Sequence, residues 1–383
     1  MTMTEQSGTR HGAERVKQYK RARILLFVAG IVSSWITASL FVFSGASRRL
    51  TDSTSSSVRN KRAGEGIAIV AFILLSWIIS FPLAFLRGYR LEHAYEMSNQ
   101  SFIQWLGDQL KGLTLQLVLM APMTQAMLGV IRRRPSDWWA VLSALAIPFT
   151  VILSHLAPVL ILPLFNTYQP LRDRELAKRL KDLAARSGID VADILEMDMS
   201  KQTRAANAFF TGVGSTRRIV LSDTLLDELS HDEIETIVAH EIGHQANRDL
   251  WRLLGIGVLN TAAIAWATQN VFERIDRSTQ RQTGIRGAGF VEALPLLGLV
   301  ASVVGLIGMP LENAYSRHLE RKADRYALRL TDNPAAFRSG LDKIAEISLA
   351  DPDPSRLEQV LLHSHPPIVE RQAACDRYAA SRN

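Results

Sequence analysis

Two histidines, His240 and His244, stand four residues apart in Ile237-Val-Ala-His-Glu-Ile-Gly-His-Gln. On a helix that spacing stacks both imidazoles on one face, where a single metal ion can take both. Imidazole pairs suit Zn²⁺, so the expected cofactor is one Zn²⁺ per chain. Glu241 follows His240 directly, roughly 100° further round the helix. From there it reaches a water beside the metal without being a ligand, as a general base for metal-assisted hydrolysis must. Gly243 is expected to leave room beside the metal for a substrate backbone.

A hydrolytic zinc site needs a third protein ligand and one open position. Downstream, in Asn313-Ala-Tyr-Ser-Arg-His-Leu-Glu-Arg-Lys-Ala-Asp, Glu320 and Asp324 lie one helical turn apart. Glu320 can supply the third ligand. Asp324 can then accept a hydrogen bond from the other nitrogen of a ligand histidine. Taken alone, the stretch reads as a solvated charged face, because Arg317, Arg321, Lys322 and Arg325 surround both acids. The upstream histidine pair gives it a metal to face.

Several elements must position these groups. Ser230 caps a helix and Glu233 completes a capping box. That helix is expected to run through Ile234, Ile237 and Val238 past residue 244, with no breaker before the apolar segment that follows. A second helix is expected from about Glu312 to Leu330, separated from the preceding apolar segment only by Pro310. Ala206–Phe210 and Arg218–Leu221 read as short strands joined by Thr211-Gly-Val-Gly-Ser-Thr, a glycine-containing hairpin loop. Leu171–Ser187 has helical spacing and stops at Gly188. Thr51–Ser57 reads as a Ser/Thr-rich loop.

The apolar segments set the architecture. Ile24–Ser44, Gly66–Leu86, Gly112–Ile131, Trp138–Phe165, Leu253–Phe272 and Ala293–Leu311 are free of Asp, Glu, Lys and Arg. Each is about one bilayer long, since ~20 helical residues cross a ~30 Å hydrocarbon core. One such segment could be a core helix of a soluble protein, but six in one chain read as membrane spans. The first is also too long, and too poorly followed by a cleavage site, for a removed signal peptide. A hydrophobic fraction of 47% with 21% charged residues excludes a disordered chain. The single cysteine, Cys375, excludes an intrachain disulfide framework.

The net charge of +7 is local. Residues 1–23 carry six Lys/Arg against two acids, and residues 45–65 carry five against two, which accounts for all of it. Basic flanks around a span read as membrane topology and not as a nucleic-acid footprint, so no nucleic-acid partner is expected. The N-terminal flank carries one more cation, which places it in the cytoplasm. Four spans later, the polar block after Phe165 returns to the same side.

At this point the chain resembles the type 1 CAAX prenyl endopeptidases, integral membrane zinc metallopeptidases of the gluzincin kind. The shared motifs are Pro163-Leu-Phe-Asn, Ser200-Lys, Ala206-Asn-Ala-Phe-Phe and Arg218-Ile-Val-Leu-Ser-Asp-Thr-Leu-Leu. They continue with His240-Glu-Ile-Gly-His, Ser316-Arg-His-Leu-Glu-Arg-Lys-Ala-Asp and Ser364-His-Pro-Pro-Ile-Val-Glu-Arg. The resemblance implies zinc on His240, His244 and Glu320, with Glu241 as base and Asp324 orienting His240. It implies that His365 steadies the oxyanion, with Arg371 nearby. It also implies that Asn207, Ala208 and Phe209 form an edge strand to which a peptide adds as a further strand. Without it, His365 is a loop histidine beside His363, and Asn207–Phe209 belongs to an ordinary hairpin. The chain departs from eukaryotic members in showing six spans where they typically have seven; on the resemblance, the missing element would be the N-terminal span.

The expected fold is therefore mainly α. A polytopic membrane helical bundle of about six spans carries a cytoplasmic zincin-type metallopeptidase region with a small β-hairpin or sheet. Residues 1–23 form a basic tail, 24–165 four spans, and 166–250 the first part of the peptidase domain. Residues 251–311 hold spans five and six, and 312–383 the second part. His244 lies nine residues before the fifth span and Glu320 nine after the sixth. Each is thus within about 15 Å of the membrane. The expected partners are the lipid bilayer and a membrane-associated peptide or protein substrate, lipidated substrates included, at the cell membrane. A membrane quality-control peptidase with the same chemistry is the alternative within the class. A non-enzymatic scaffold or transporter is the alternative outside it.

Overall fold

A computed structural model of the chain describes residues 3–212, 214–283 and 285–382. Small parts of the expected tail, hairpin loop and C-terminal block (Met1, Thr2, Val213 and Asn383) lie outside the described residues. The chain opens with α1 (Met3–Phe43), α2 (Ala46–Ser56), α3 (Lys61–Phe85), α4 (Leu91–Ala94), α5 (Phe102–Arg133) and α6 (Trp138–Leu156). Then come β1 (Tyr168–Pro170), α7 (Arg174–Arg186), β2 (Asp193–Met197), β3 (Ala208–Thr211), β4 (Arg218–Ser222), α8 (Asp223–Glu228) and α9 (His231–Ala246). The rest is helical: α10 (Asp249–Thr283), α11 (Leu294–Thr331), α12 (Pro334–Ile347), α13 (Arg356–Leu362) and α14 (Ile368–Ala380).

Among the described residues, six helices are long and apolar enough to cross a membrane. They cover the six charge-free segments but for Ser44 and Phe165, which lie just past the first and fourth of them. Their outward faces carry large apolar side chains, such as Leu25 at 69% and Ile307 at 72% exposure. Such faces are stable in lipid, where backbone groups must be satisfied within each helix. Inside the bundle, Ile69, Phe72, Leu128, Ile131, Phe272, Leu296 and Val300 form one buried cluster.

Three expectations change. The basic tail is helical from Met3 and continues into the first span as α1. Thr51–Ser57 is mostly the last part of α2 and not a loop. Its hydroxyls bond back to the preceding turn, as Thr51 Oγ1 does to Ser47 O at 2.9 Å and Thr54 Oγ1 to Leu50 O at 3.0 Å. Pro310 does not separate two helices, because α11 runs unbroken through it for 38 residues. At 1.5 Å per residue α11 is about 57 Å long, so its second half projects well past the hydrocarbon core.

The sheet has the order β1-β2-β4-β3. β2 and β4 are parallel, while β1–β2 and β3–β4 are antiparallel. The expected hairpin is present, with Ala208 opposite Leu221 and Thr211 opposite Arg218. Its turn needs Gly212, at φ +81°, because a Cβ there would lie 2.2 Å from Thr216 O. Leu176, Leu180 and Leu183 of α7, Ile219 and Leu221 of β4, Ile234, Val238 and Ile242 of α9, and Phe337 of α12 bury one another beneath this sheet. Lys20 Nζ ties α1 to this region, 2.6 Å from Asp351 Oδ2 and 3.0 Å from Glu358 Oε2.

Candidate active site

α9 and α11 carry the central groups and pack directly on each other. Ser230 and Glu233 form the expected capping box at the start of α9. Glu233 also bonds Ser339 Oγ at 2.5 Å and Lys343 Nζ at 2.8 Å, locking α9 to α12. Burial alone would raise the Glu233 carboxyl, but Lys343, Ser339 and Ser230 outweigh it and lower the pKa to about 2.

Gly243 does not open space for substrate. A Cβ there would meet Ala323 Cα and Tyr326 Cβ, each at 3.1 Å, so the missing side chain is what lets α11 approach α9. The close approach delivers Glu320 to the histidines. α9 also ends where continuity was expected. Arg248 takes a left-handed φ of 56°, and α10 restarts at Asp249.

His240 Nε2 lies 3.2 Å from His244 Nε2 and 3.2 Å from Glu320 Oε2, and His244 Nε2 lies 3.4 Å from Glu320 Oε1. The two carboxylate oxygens each face one imidazole, and the separations are those of neighbouring ligands around one ion. Bonds of ~2.0–2.1 Å at tetrahedral angles place neighbouring ligand atoms about 3.3 Å apart. Among the described residues this trio forms the one cluster of metal-type ligands. Glu320 Oε2 is buried and makes no hydrogen bond of sound geometry, although two imidazoles stand close to it. An orphaned carboxylate oxygen 3.2 Å from His240 Nε2 fits a cation held between the two.

The outer nitrogens are held by acids. His240 Nδ1 is 2.8 Å from Asp324 Oδ1. Burial works against charge on His240, but the hydrogen bonds of Asp324 and Glu320 prevail and raise its pKa to about 9. This pocket favours positive charge at the imidazole, which a metal supplies as well as a proton does. Arg371 comes from α14 and donates to Asp324, with Nη2 to Oδ1 at 2.6 Å and Nε to Oδ2 at 2.9 Å. It reaches His240 only on the Nδ1 side, at 3.4 Å.

Glu241 is partly buried beside the trio. Burial pushes its carboxyl up, opposed by the charges of His240 and His244. His365, in the loop between α13 and α14, places Nδ1 2.9 Å from Glu320 Oε2 and is 64% exposed. Arg317 fixes that loop by donating to Gln359 O at 2.8 Å and His363 O at 2.6 Å. Ala208 and Phe209 lie in β3, one of the sheet's two edge strands, which packs against α9. Asn207 stands one residue before it, its N–H bonded to Ser222 Oγ at 2.9 Å. The structure thus gathers His240, Glu241, His244, Glu320, Asp324, His365 and Arg371, with the edge strand alongside.

Sequence reasoning missed Asp249, which is 1% exposed with Oδ2 3.0 Å from His244 Nδ1. The available signal was an acid just after the histidine pair and four residues ahead of the charge-free fifth segment.

Comparison with known proteins agrees with this geometry. The profile of peptidase family M48 matches residues 170–379. That described as CAAX prenyl protease N-terminal, five membrane helices, matches residues 5–167. Within 5–167 the described residues hold four candidate spans, one fewer than that description. The chain is 30% identical to the uncharacterized metalloprotease YhfN of Bacillus subtilis (strain 168), over 93% of this chain and 83% of that one. It is also 30% identical to CAAX prenyl protease 1 of Saccharomyces cerevisiae, over 79% of this chain and 70% of that one. The crystal structure of S. mikatae Ste24p superposes with a TM-score of 0.85 at 23% identity, covering 96% of this chain and 89% of that one, and so shares the fold. Both the span-rich half and the half holding the histidine–glutamate trio point to one lineage, and the chain belongs to peptidase family M48, as a multi-pass membrane metalloendopeptidase of the CAAX prenyl protease group.

Proposed function

We propose that this chain is a zinc endopeptidase that cleaves peptide bonds in membrane-associated substrates, prenylated or otherwise lipidated ones included. The observation that carries the zinc assignment is the meeting of His240 Nε2, His244 Nε2 and the Glu320 carboxylate, whose oxygens lie 3.2 and 3.4 Å from the two rings, with Glu320 Oε2 left without a hydrogen bond. When bound, zinc polarises the scissile carbonyl and makes water a stronger acid. His240, His244 and Glu320 hold it.

Glu241 accepts the water proton on its carboxylate and returns it to the leaving amine. Burial pushes its carboxyl above the ordinary range, which makes it a stronger proton acceptor. The His365 ring donates to the carbonyl oxygen as negative charge develops there. Asp324 orients His240, and Arg371 holds Asp324. A substrate peptide adds to β3, whose outer edge faces no other strand among the described residues.

The basic flanks of the first span support a cytoplasmic peptidase region at the cell membrane. Membrane association of the substrate is supported by the site's helices. α10 starts as a span five residues after His244, and Glu320 lies on the continuation of the last span. Lipidation draws on the name of the yeast relative. The test is cleavage of matched peptides, prenylated and unprenylated, by purified protein in liposomes. Prenylated peptide turned over at least about tenfold faster supports the reading, a difference of about 1.4 kcal/mol in transition-state binding. Equal rates favour the quality-control alternative.

A further inference from the structure

Asp249 is a buried carboxylate that the reaction described above does not use. It is the first residue of α10 and 1% exposed. Oδ2 lies 3.0 Å from His244 Nδ1, while Oδ1 makes no hydrogen bond and has Arg252 Nη1 3.5 Å away. A buried carboxylate with an unsatisfied oxygen is costly unless positive charge lies close. The ring it touches presents its other nitrogen, Nε2, to His240 and Glu320. A cation on that side of the imidazole accounts for the acid on this one.

The backbone supports the same assignment. On a continuous helix, residue 249 would point about 140° away from His244. The break at Arg248, with its left-handed φ of 56°, turns the chain so that Asp249 comes back against the ring. A non-glycine residue in that conformation is uncommon and points to a local requirement. The same break makes Asp249 the opening residue of the fifth span, so His244 is tied to the membrane end of α10.

We propose that Asp249 is the positioning residue of His244. It accepts the Nδ1 proton, fixes the tautomer that leaves Nε2 free for a metal, and raises the basicity of that nitrogen. The two ligand histidines then have separate supporting acids, Asp324 for His240 and Asp249 for His244. The pairs differ in one respect. Asp324 shares its charge with a bidentate, buried Arg371, whereas Arg252 is 43% exposed and stands further from Asp249. Asp249 therefore directs more of its charge to its histidine. The assignment rests on the metal reading of the trio.

The test is zinc affinity, measured by chelator competition on the full-length protein in detergent. Wild type, Asp249→Asn and Asp249→Ala are compared, with the melting temperature of each metal-free form alongside. Asp249→Asn is expected to lose about tenfold in affinity and Asp249→Ala up to about 100-fold. The metal-free Asp249→Asn protein is expected to melt where metal-free wild type does. The near-isosteric Asn form carries the test where the Ala form does not fold. Wild-type affinity in both variants overturns the proposal alone. So does a loss in Asp249→Asn that comes with an equal fall in metal-free stability, which marks a merely structural role. Wild-type protein that takes up no stoichiometric zinc overturns the metal reading and this proposal together.

Discussion

Arg371 grips Asp324 with two nitrogens, Nη2 to Oδ1 at 2.6 Å and Nε to Oδ2 at 2.9 Å, so the acid that touches His240 is itself held by a buried cation. The pair is 11% and 5% exposed. In this environment two charges are tolerable together, and either alone is not.

Arg371→Met is therefore expected to cost about 3–5 kcal/mol of stability by stranding the Asp324 charge. Combining it with Asp324→Asn is expected to recover part of that loss, because the stranded charge is gone. Melting curves of the two single variants and the double variant in detergent check this. Additive losses contradict the coupling.

Gly243→Ala tests the contact between the two helices that carry the histidine–glutamate trio. The added Cβ meets backbone of α11 at 3.1 Å and has nowhere to go without moving it. We expect a loss of about 1–3 kcal/mol together with weaker zinc binding, since Glu320 moves with α11. A variant with unchanged melting temperature and zinc affinity contradicts the role given to this glycine.

Glu233 gives a pH prediction. Its carboxyl is lowered from the ordinary 4.5 to about 2. A lowered acid stabilises the fold above the ordinary value and loses that contribution as pH falls towards the folded one. The full effect is about 3 kcal/mol. Glu233→Gln is expected to melt below wild type at about pH 7, with the gap closing as pH drops from about 4.5 to about 2. A gap independent of pH contradicts an ionised Glu233 as the lock between α9 and α12.

Much of this was legible from residue types. Charge-free windows of bilayer length locate spans because an uncompensated charge in hydrocarbon is costly, and all six appear. His240 and His244 were legible as a pair because i,i+4 spacing has one geometric meaning on a helix, and Glu320 only once that pair gave its charged stretch a metal to face. Features that depend on packing between distant segments were not. Gly243 looks like a vacancy until α11 is known to fill it. Asp249 falls five residues after His244 and meets it only because the chain breaks at Arg248, a position whose residue type carries no breaker signal. Thr51–Ser57 has loop composition, yet its hydroxyls find carbonyls in the preceding turn while α2 packs on α3.

The proposed reaction depends on a zinc ion on His240, His244 and Glu320 with Glu241 as base. The most direct measurement is zinc content together with peptide hydrolysis for wild type and Glu241→Gln. One zinc per chain is expected in both proteins, with hydrolysis at least about 10²-fold slower in the variant. Normal hydrolysis by Glu241→Gln, or active wild-type protein without stoichiometric metal, would contradict it.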